Sequence, residues 1–170
     1  MATITLKGNE IRTSGELPGI GDVAPAFVLT GNTLSDVRLS DYLGKKIVLN
    51  IFPSLDTAVC ALSVRRFNAE AEKLFNTVVL CISRDLPFAQ SRFCGAEGLN
   101  NVITLSEMRD DKFSADYGIR LIDGPLAGLL ARAVILLNES GVVDYVELVP
   151  EIAQEPDYEA ALKHLKKGRS

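Results

Sequence analysis

The sequence predicts an α/β sandwich: a central mixed β-sheet flanked by helices, with a β-hairpin added at the N-terminus. Three observations carry this. Lys46–Phe52 (KIVLNIF) and Thr77–Ile82 (TVVLCI) are short, apolar, β-branched runs of the kind expected for central strands covered on both faces. The segment between them repeats apolar residues at helical spacing. Further on, two strand-like runs flank a strong turn signal, and an amphipathic helix follows. A chain of 170 residues that is 47% hydrophobic and 24% charged suits one compact domain over 1–170. No linker rich in Pro, Gly or Ser divides it.

In chain order, Thr3 to Thr13 holds two alternating stretches around Gly8-Asn9 and reads as a hairpin. This extension, residues 1–15, is expected to decorate one end of the core. From Val59 to Phe75, Val59, Leu62, Phe67, Ala71 and Leu74 recur near the helical period, while Arg65, Arg66, Glu70 and Lys73 can face water. A second helix is expected near Pro87, with proline in its first turn and Asp85 able to cap it. Asp111–Tyr117 reads as a short third helix. Ala133–Leu137 and Val142–Val149, joined by Asn138-Glu139-Ser140-Gly141, form an antiparallel pair. Glu155-Pro156 opens a last helix whose apolar side is Tyr158, Ala161, Leu162 and Leu165. This order of elements is that of a thioredoxin-like sandwich, and a fold of that kind does not fix a function.

Several classes of function are disfavoured. A net charge of −4 and a pI near 5.1 give no electrostatic footprint for nucleic acid. The one basic cluster, Lys163 to Arg169, reads as a solvated helix end. No apolar run approaches the ~20 residues of a membrane span. The first ten residues lack the charged start and apolar core of a secretory signal, so a cytoplasmic location is expected. Three cysteines with no CxxC pair argue against a disulfide framework or a Cys-rich zinc site. With one histidine, His164, multi-histidine metal clusters and most Cys-His nucleophile systems lack parts, and no metal is expected. Any reactive cysteine must be activated in another way.

The segment Phe52-Pro53-Ser54-Leu55-Asp56-Thr57-Ala58-Val59-Cys60 runs from a buried strand into the first turn of a helix. Unpaired backbone N–H groups and the dipole at a helix start favour thiolate over thiol, and the thiolate is the nucleophile. Pro53 can close a pocket against water. The Thr57 hydroxyl can cap the helix or bond the sulfur or an incoming oxygen, and both uses are expected. The amides of Val59 and Cys60 can hold a departing oxygen. Cys81, inside a strand, is expected to be a packed core thiol. His164, among lysines, is expected to be solvent-exposed.

Pro53-x-x-x-Thr57-x-x-Cys60 is similar to the PxxxTxxC active-site motif of the peroxiredoxins, and Ala24-Pro25-Ala26-Phe27 resembles that family's opening strand. Ser83-Arg84-Asp85-Leu86-Pro87-Phe88-Ala89-Gln90-Ser91-Arg92-Phe93-Cys94 resembles the signature of the bacterial thiol peroxidases, the atypical two-cysteine branch. The resemblance spans about Gly21 to Glu159. It implies Cys60 as peroxidatic cysteine, Cys94 as resolving cysteine, and Pro53 and Thr57 as shapers of the pocket. It also implies that Arg132, at the entrance to a strand, points at the thiolate and the substrate oxygens. The implied enzyme reduces hydrogen peroxide and alkyl hydroperoxides through a Cys60 sulfenic acid and an intramolecular Cys60–Cys94 disulfide, which thioredoxin returns to dithiol. No metal, haem or flavin is implied. The family commonly forms homodimers through the active-site loops, where the apolar loop Leu121–Leu130 could contribute or supply walls for organic substrates.

Two other readings compete. Cys60-Ala61-Leu62-Ser63 is also a CxxS sequence, as in glutaredoxin-like thiol–disulfide oxidoreductases. Those proteins typically place a cis-proline before a later strand, where this chain has Arg132. A peroxide-sensing redox module would use the same reactive thiol without rapid turnover.

Overall fold

A computed structural model describes residues 1–167; residues 168–170, the end of the chain and of its basic cluster, lie outside the described residues. At the N-terminus Thr3–Leu6 (β1) and Asn9–Arg12 (β2) pair antiparallel as a separate two-stranded sheet. Its turn is Lys7-Gly8, with φ of 50° and 83°, the positive values that a two-residue I′ hairpin requires. The turn thus falls one residue earlier than Gly8-Asn9, and Asn9 already belongs to the strand.

Next come Val28–Thr30 (β3), Asp36–Arg38 (β4), Lys46–Ile51 (β5), the helix Ala58–Ala71 (α1) and Thr77–Ser83 (β6). The helix Pro87–Glu97 (α2), Ile103–Ser106 (β7) and the short helix Lys112–Tyr117 (α3) follow, then Ala133–Leu137 (β8), Val143–Leu148 (β9) and the helix Tyr158–Lys167 (α4). The main sheet has the order β4-β3-β7-β6-β5-β8-β9. β5, β6 and β7 are parallel neighbours, joined by α1 and α2 as crossovers. β8 and β9 extend one edge antiparallel, and β3 and β4 the other.

Strand alternation splits the core in two. Ile47, Leu49 and Ile51 pack with Leu80, Ile82, Ile135, Phe27 and Phe113 on the α3 side. Val48 and Phe52 pack with Val79, Cys81 and Val134 beneath α1 and α4. Tyr158, Ala161, Leu162 and Leu165 form the buried side of α4.

The structure departs from the sequence reading at several points. Ala24–Phe27 is not a strand; pairing begins at Val28, beyond Pro25, which has no N–H to give a ladder. β3, β4 and β7, each of three or four residues, went unread because such short runs show no period. α1 stops at Ala71 rather than Phe75, where the amides of Lys73 and Leu74 turn back to the carbonyls of Glu70 and Ala71. Leu62 is exposed, because the inward face set by Cys60, Val64 and Phe67 leaves position i+2 pointing away. His164 is half-buried rather than free: Nε2 lies 2.9 Å from Asp144 Oδ2, and its ring packs on Tyr145.

Phe67 anchors α1, fully buried and edge-on to Tyr158 of α4 with ring centroids 5.5 Å apart. Phe67→Ala should cost about 3–5 kcal/mol. Urea unfolding monitored by far-UV circular dichroism would measure it, and a loss below about 1 kcal/mol would mean that α1 does not depend on this contact.

Candidate active site

β5 delivers the buried Phe52 and Pro53 to the C-terminal edge of the parallel strands, and Ser54–Thr57 then turn the chain into α1. The Thr57 amide and hydroxyl both donate to the Ser54 carbonyl, at 3.1 and 3.0 Å. The first backbone bond of the helix runs from the Ala61 amide to the Thr57 carbonyl at 3.1 Å. The amides of residues 58–60 therefore precede the ladder, as helix geometry demands. Cys60 sits in this first turn and is fully buried.

Arg132 reaches it from the start of β8. Its Nη2 donates to Cys60 Sγ at 3.3 Å and its Nε to the Ile152 carbonyl at 2.8 Å. The side chain is 1% exposed. Nη1 is buried without a partner, which leaves a donor of fixed charge free at the site. An apolar cavity of about 500 Å³ ends against this arginine, between Pro53, Thr57, Ala58 and Val59 on one side and Pro125, Leu126 and Ile152 on another. Leu6, Lys7, Asn9 and Ile11 of the hairpin complete the wall. The hairpin therefore builds the cavity rather than decorating the core, a role its alternating pattern could not reveal. Of the loop Leu121–Leu130, Leu121 and Leu130 are buried, and Pro125 and Leu126 line the cavity.

Pro53, Thr57, Cys60 and Arg132 are thus brought together, and Cys94 is not bonded to them. All three cysteines are free thiols. Cys94 lies half-buried on α2, packed against the core cluster that contains Cys60 and Cys81. Burial pushes its thiol up, and a hydrogen bond with the Thr104 side chain works the other way. Thr57 occupies the N-cap position without a side-chain cap bond, because its hydroxyl is engaged by the Ser54 carbonyl. No bond joins that hydroxyl to Cys60 Sγ. Ser63 of the CxxS sequence points into the core, donating to the Cys60 carbonyl at 2.8 Å and accepting from Asn50 Nδ2 at 3.3 Å.

Residues 20–162 match the redoxin family. The chain belongs to that family. It is 58% identical over 165 residues to a thiol peroxidase of Mycobacterium tuberculosis and to one of Mycobacterium bovis, covering 97% of this chain and 99% of each relative. A peroxiredoxin-like protein from Aquifex aeolicus superposes with a TM-score of 0.92 at 36% identity, over 98% of this chain and 97% of the other. A thiol peroxidase from Chromobacterium violaceum shares the fold, with a TM-score of 0.91 at 24% identity over 100% and 99% of the two chains. The redoxin is accordingly an enzyme of the peroxiredoxin type, a thiol peroxidase on a thioredoxin-like fold. Among the described residues no helix is long and apolar enough to cross a membrane.

Sequence reasoning missed Asp85. Expected to cap α2, it instead accepts from the Ser54 hydroxyl at 2.8 Å, the Leu55 amide at 2.8 Å and the Ser83 hydroxyl at 2.7 Å. The N-cap of α2 is Leu86, with no side-chain bond. Its place before Pro87 gave a local explanation, and nothing in the sequence marks a contact thirty residues back.

Cys81 is enclosed beneath α1, and burial pushes its thiol up to about 12 against a weaker lowering contact with Asn50. On the native protein at pH 8–9, iodoacetamide should leave Cys81 unmodified while Cys94 reacts. Peptide mass mapping would check this, and native labelling of Cys81 at the rate seen in denaturant would contradict its burial.

Proposed function

We propose that Cys60 is the sulfur that attacks peroxide and that Cys94 resolves the product, with Arg132, Thr57 and Pro53 forming the site. The observation that carries this is the buried Arg132 guanidinium 3.3 Å from Cys60 Sγ at the end of the cavity. The fixed positive charge stands where negative charge develops on the reacting atoms, and the unpartnered Nη1 is a donor for the substrate oxygens. The Thr57 hydroxyl, its proton given to the Ser54 carbonyl, keeps lone pairs to accept the hydroperoxide proton. Pro53, buried and lining the cavity, has no N–H to attract water.

The sulfur of Cys60 takes one peroxide oxygen as the O–O bond breaks. The other oxygen leaves as water or alcohol once protonated, and the sulfur, oxidised by two electrons, becomes a sulfenic acid. The Cys94 thiol then condenses with it, forming the Cys60–Cys94 disulfide and releasing water. A dithiol protein of the thioredoxin kind returns both thiols by exchange. The apolar cavity suits alkyl hydroperoxides as well as hydrogen peroxide. This reading treats residues 1–170 as one cytoplasmic domain carrying the 1–15 hairpin, paired as a homodimer. Exposed Leu86, Phe88 and Ile122 supply apolar surface for the pairing.

Cys60→Ser should abolish steady-state peroxide consumption with thioredoxin. Cys94→Ser should still form a sulfenic acid but fail to turn over, and Arg132→Lys should slow sulfenic acid formation about 10²-fold. Coupled consumption of thioredoxin and peroxide reads turnover, and trapping of the Cys60 sulfenic acid in a single turnover, followed by mass analysis, reads its formation. A wild-type protein that reduces disulfides but not peroxide would make it glutaredoxin-like, and a single stoichiometric oxidation would make it a sensor.

Cys60 and Cys94 are unbonded thiols on different helices, and on this reading the disulfide, whose α-carbons must come within about 7 Å, closes through local unwinding near one or both. In α2 only Pro87 and Gln90 are fully buried, so this helix is weakly held. Amide exchange over residues 88–95 should therefore be faster in the disulfide form than in the dithiol form. Equal protection in both would rule out the unwinding. Sedimentation at micromolar concentration tests the dimer, and a mass of one chain would refute it.

A further inference from the structure

Asp85 lies outside the cavity, yet its carboxylate holds the turn from which the helix of Cys60 begins. Oδ1 accepts from the Ser54 hydroxyl, and Oδ2 accepts from the Leu55 amide and the Ser83 hydroxyl. The Asp85 carbonyl accepts from the Ser106 hydroxyl at 2.5 Å, fixing the residue to β7. Ser83 Oγ also accepts from Gln90 Nε2 at 3.2 Å, and the same Nε2 donates to the Leu105 carbonyl at 2.8 Å. Gln90 is fully buried on α2, one turn before Cys94. An unbroken set of hydrogen bonds thus joins the Ser54-Leu55 turn, which fixes the start of α1, to the anchored first turns of α2.

We propose that Asp85 is a positioning residue that clamps the Ser54-Leu55 turn in its folded, peroxide-reactive form and thereby opposes the unwinding needed for the disulfide. The proposal rests on the assignment of Cys60 and Cys94 made above. Its physical content is a difference between two states. The bonds from the Ser54 hydroxyl and the Leu55 amide exist only while the turn is folded, whereas the Ser83 hydroxyl on β6 holds the carboxylate in place, and bonds to a charged acceptor are among the stronger ones. The two bonds to the turn stabilise the state in which Cys60 meets peroxide and are lost in a state whose unwinding reaches from the first turn of α1 back into Ser54-Leu55. Removing them shifts the population toward the unwound state. The two chemical steps must then respond in opposite directions: attack on peroxide slows, and condensation with Cys94 quickens. A quicker condensation leaves the sulfenic acid exposed for less time, so overoxidation to sulfinic acid falls.

Asp85→Asn keeps the shape of the side chain but removes its negative charge, so the bonds from Ser54 and Leu55 lose their charged acceptor and weaken. In quenched-flow oxidation with hydrogen peroxide, thiol blocking and mass analysis would follow Cys60 sulfenic acid, Cys60–Cys94 disulfide and sulfinic acid in wild type and variant. Sulfenic acid formation should slow about tenfold. Disulfide formation from the sulfenic acid should speed up several-fold, and the sulfinic fraction at high peroxide should drop. A merely structural defect would slow both steps or reduce the folded fraction, without inverting them. Unchanged oxidation of Cys60, or condensation slowed together with attack, would overturn the proposal. If Asp85→Asn does not fold, Ser54→Ala decides, since it removes one bond of the clamp and should show the same inversion at smaller size. Wild-type protein that oxidises another cysteine first would overturn the cysteine assignment and the proposal with it. A normal wild-type sequence with no inversion in the variants would overturn the clamp alone.

Discussion

A guanidinium that cannot surrender its charge is buried at the start of β8, and the site is arranged around that constraint. Removing such an ion from water costs several kcal/mol even after relaxation. Arg132 meets no carboxylate among its hydrogen-bond partners; it gives Nε to the Ile152 carbonyl and Nη2 to Cys60 Sγ. Of those two partners only the sulfur can carry a full negative charge. One guanidinium thus ties the sulfur of α1 to the backbone at residue 152. The unpartnered Nη1 is the remaining debt, and a buried donor left open is tolerated where a ligand is expected to fill it.

Holding that guanidinium still is the task of the segment from Val149 to Ala153. The Val149 amide bonds the Arg132 carbonyl at 3.0 Å, while the Ile152 carbonyl takes the Nε proton at 2.8 Å. The same segment receives the hairpin, through the Thr5 amide to the Pro150 carbonyl at 2.8 Å and the Ile152 amide to the Thr5 carbonyl at 2.9 Å. Glu151 adds side-chain bonds from the amides of Ala153 and Gly8, which hold its carboxyl below the usual range. Ile4 and Ile11 close the contact by packing with Leu121, Ala131 and Ile152. Cavity wall and charged floor are thus fixed to one short stretch of backbone, so displacing the hairpin would disturb the arginine as well.

The parts legible in the sequence were those with a local cause. The apolar runs of β5 and β6 and the turn after β8 state their structure in consecutive residues, and the Pro53–Cys60 spacing puts proline, threonine and cysteine on one strand-to-helix junction. What escaped has causes far away in the chain. β3 and β7 are short strands whose pairing depends on partners some 75 residues apart, as in Thr30 opposite Ser106. The hairpin's contribution to the cavity depends on where Pro150–Ile152 passes. Asp85 was explained locally as a helix cap, and tertiary donors at Ser54 and Leu55 outcompeted the neighbouring helix start for its carboxylate. Leu62 shows the converse, since an apolar residue near the helical period is exposed while Ser63, a polar residue, takes the buried position.

The helices that bear Cys60 and Cys94 are held in different ways, and the difference limits where each of them can open. α1 buries Cys60, Ala61, Ser63, Val64, Phe67 and Ala71 against the sheet and α4, so most of its length cannot leave without opening the core. α2 buries only Pro87 and Gln90, both in its first half. Beyond Gln90, Phe93 and Cys94 are half-buried, Glu97 meets Arg65 in a surface ion pair at 2.5 Å, and Gly98 ends the helix in a left-handed conformation at φ 67°. A surface pair of this kind contributes at most about 1 kcal/mol. The second half of α2 can therefore unravel from its glycine end and release Cys94 while Gln90 keeps the first half docked. On the other side, only the first turn of α1 is free to follow, because Val64 and Phe67 pin what comes after. Opening that left these buried contacts intact would thereby be confined to a few residues on either side of the sulfurs, with the sheet that positions Arg132 still folded.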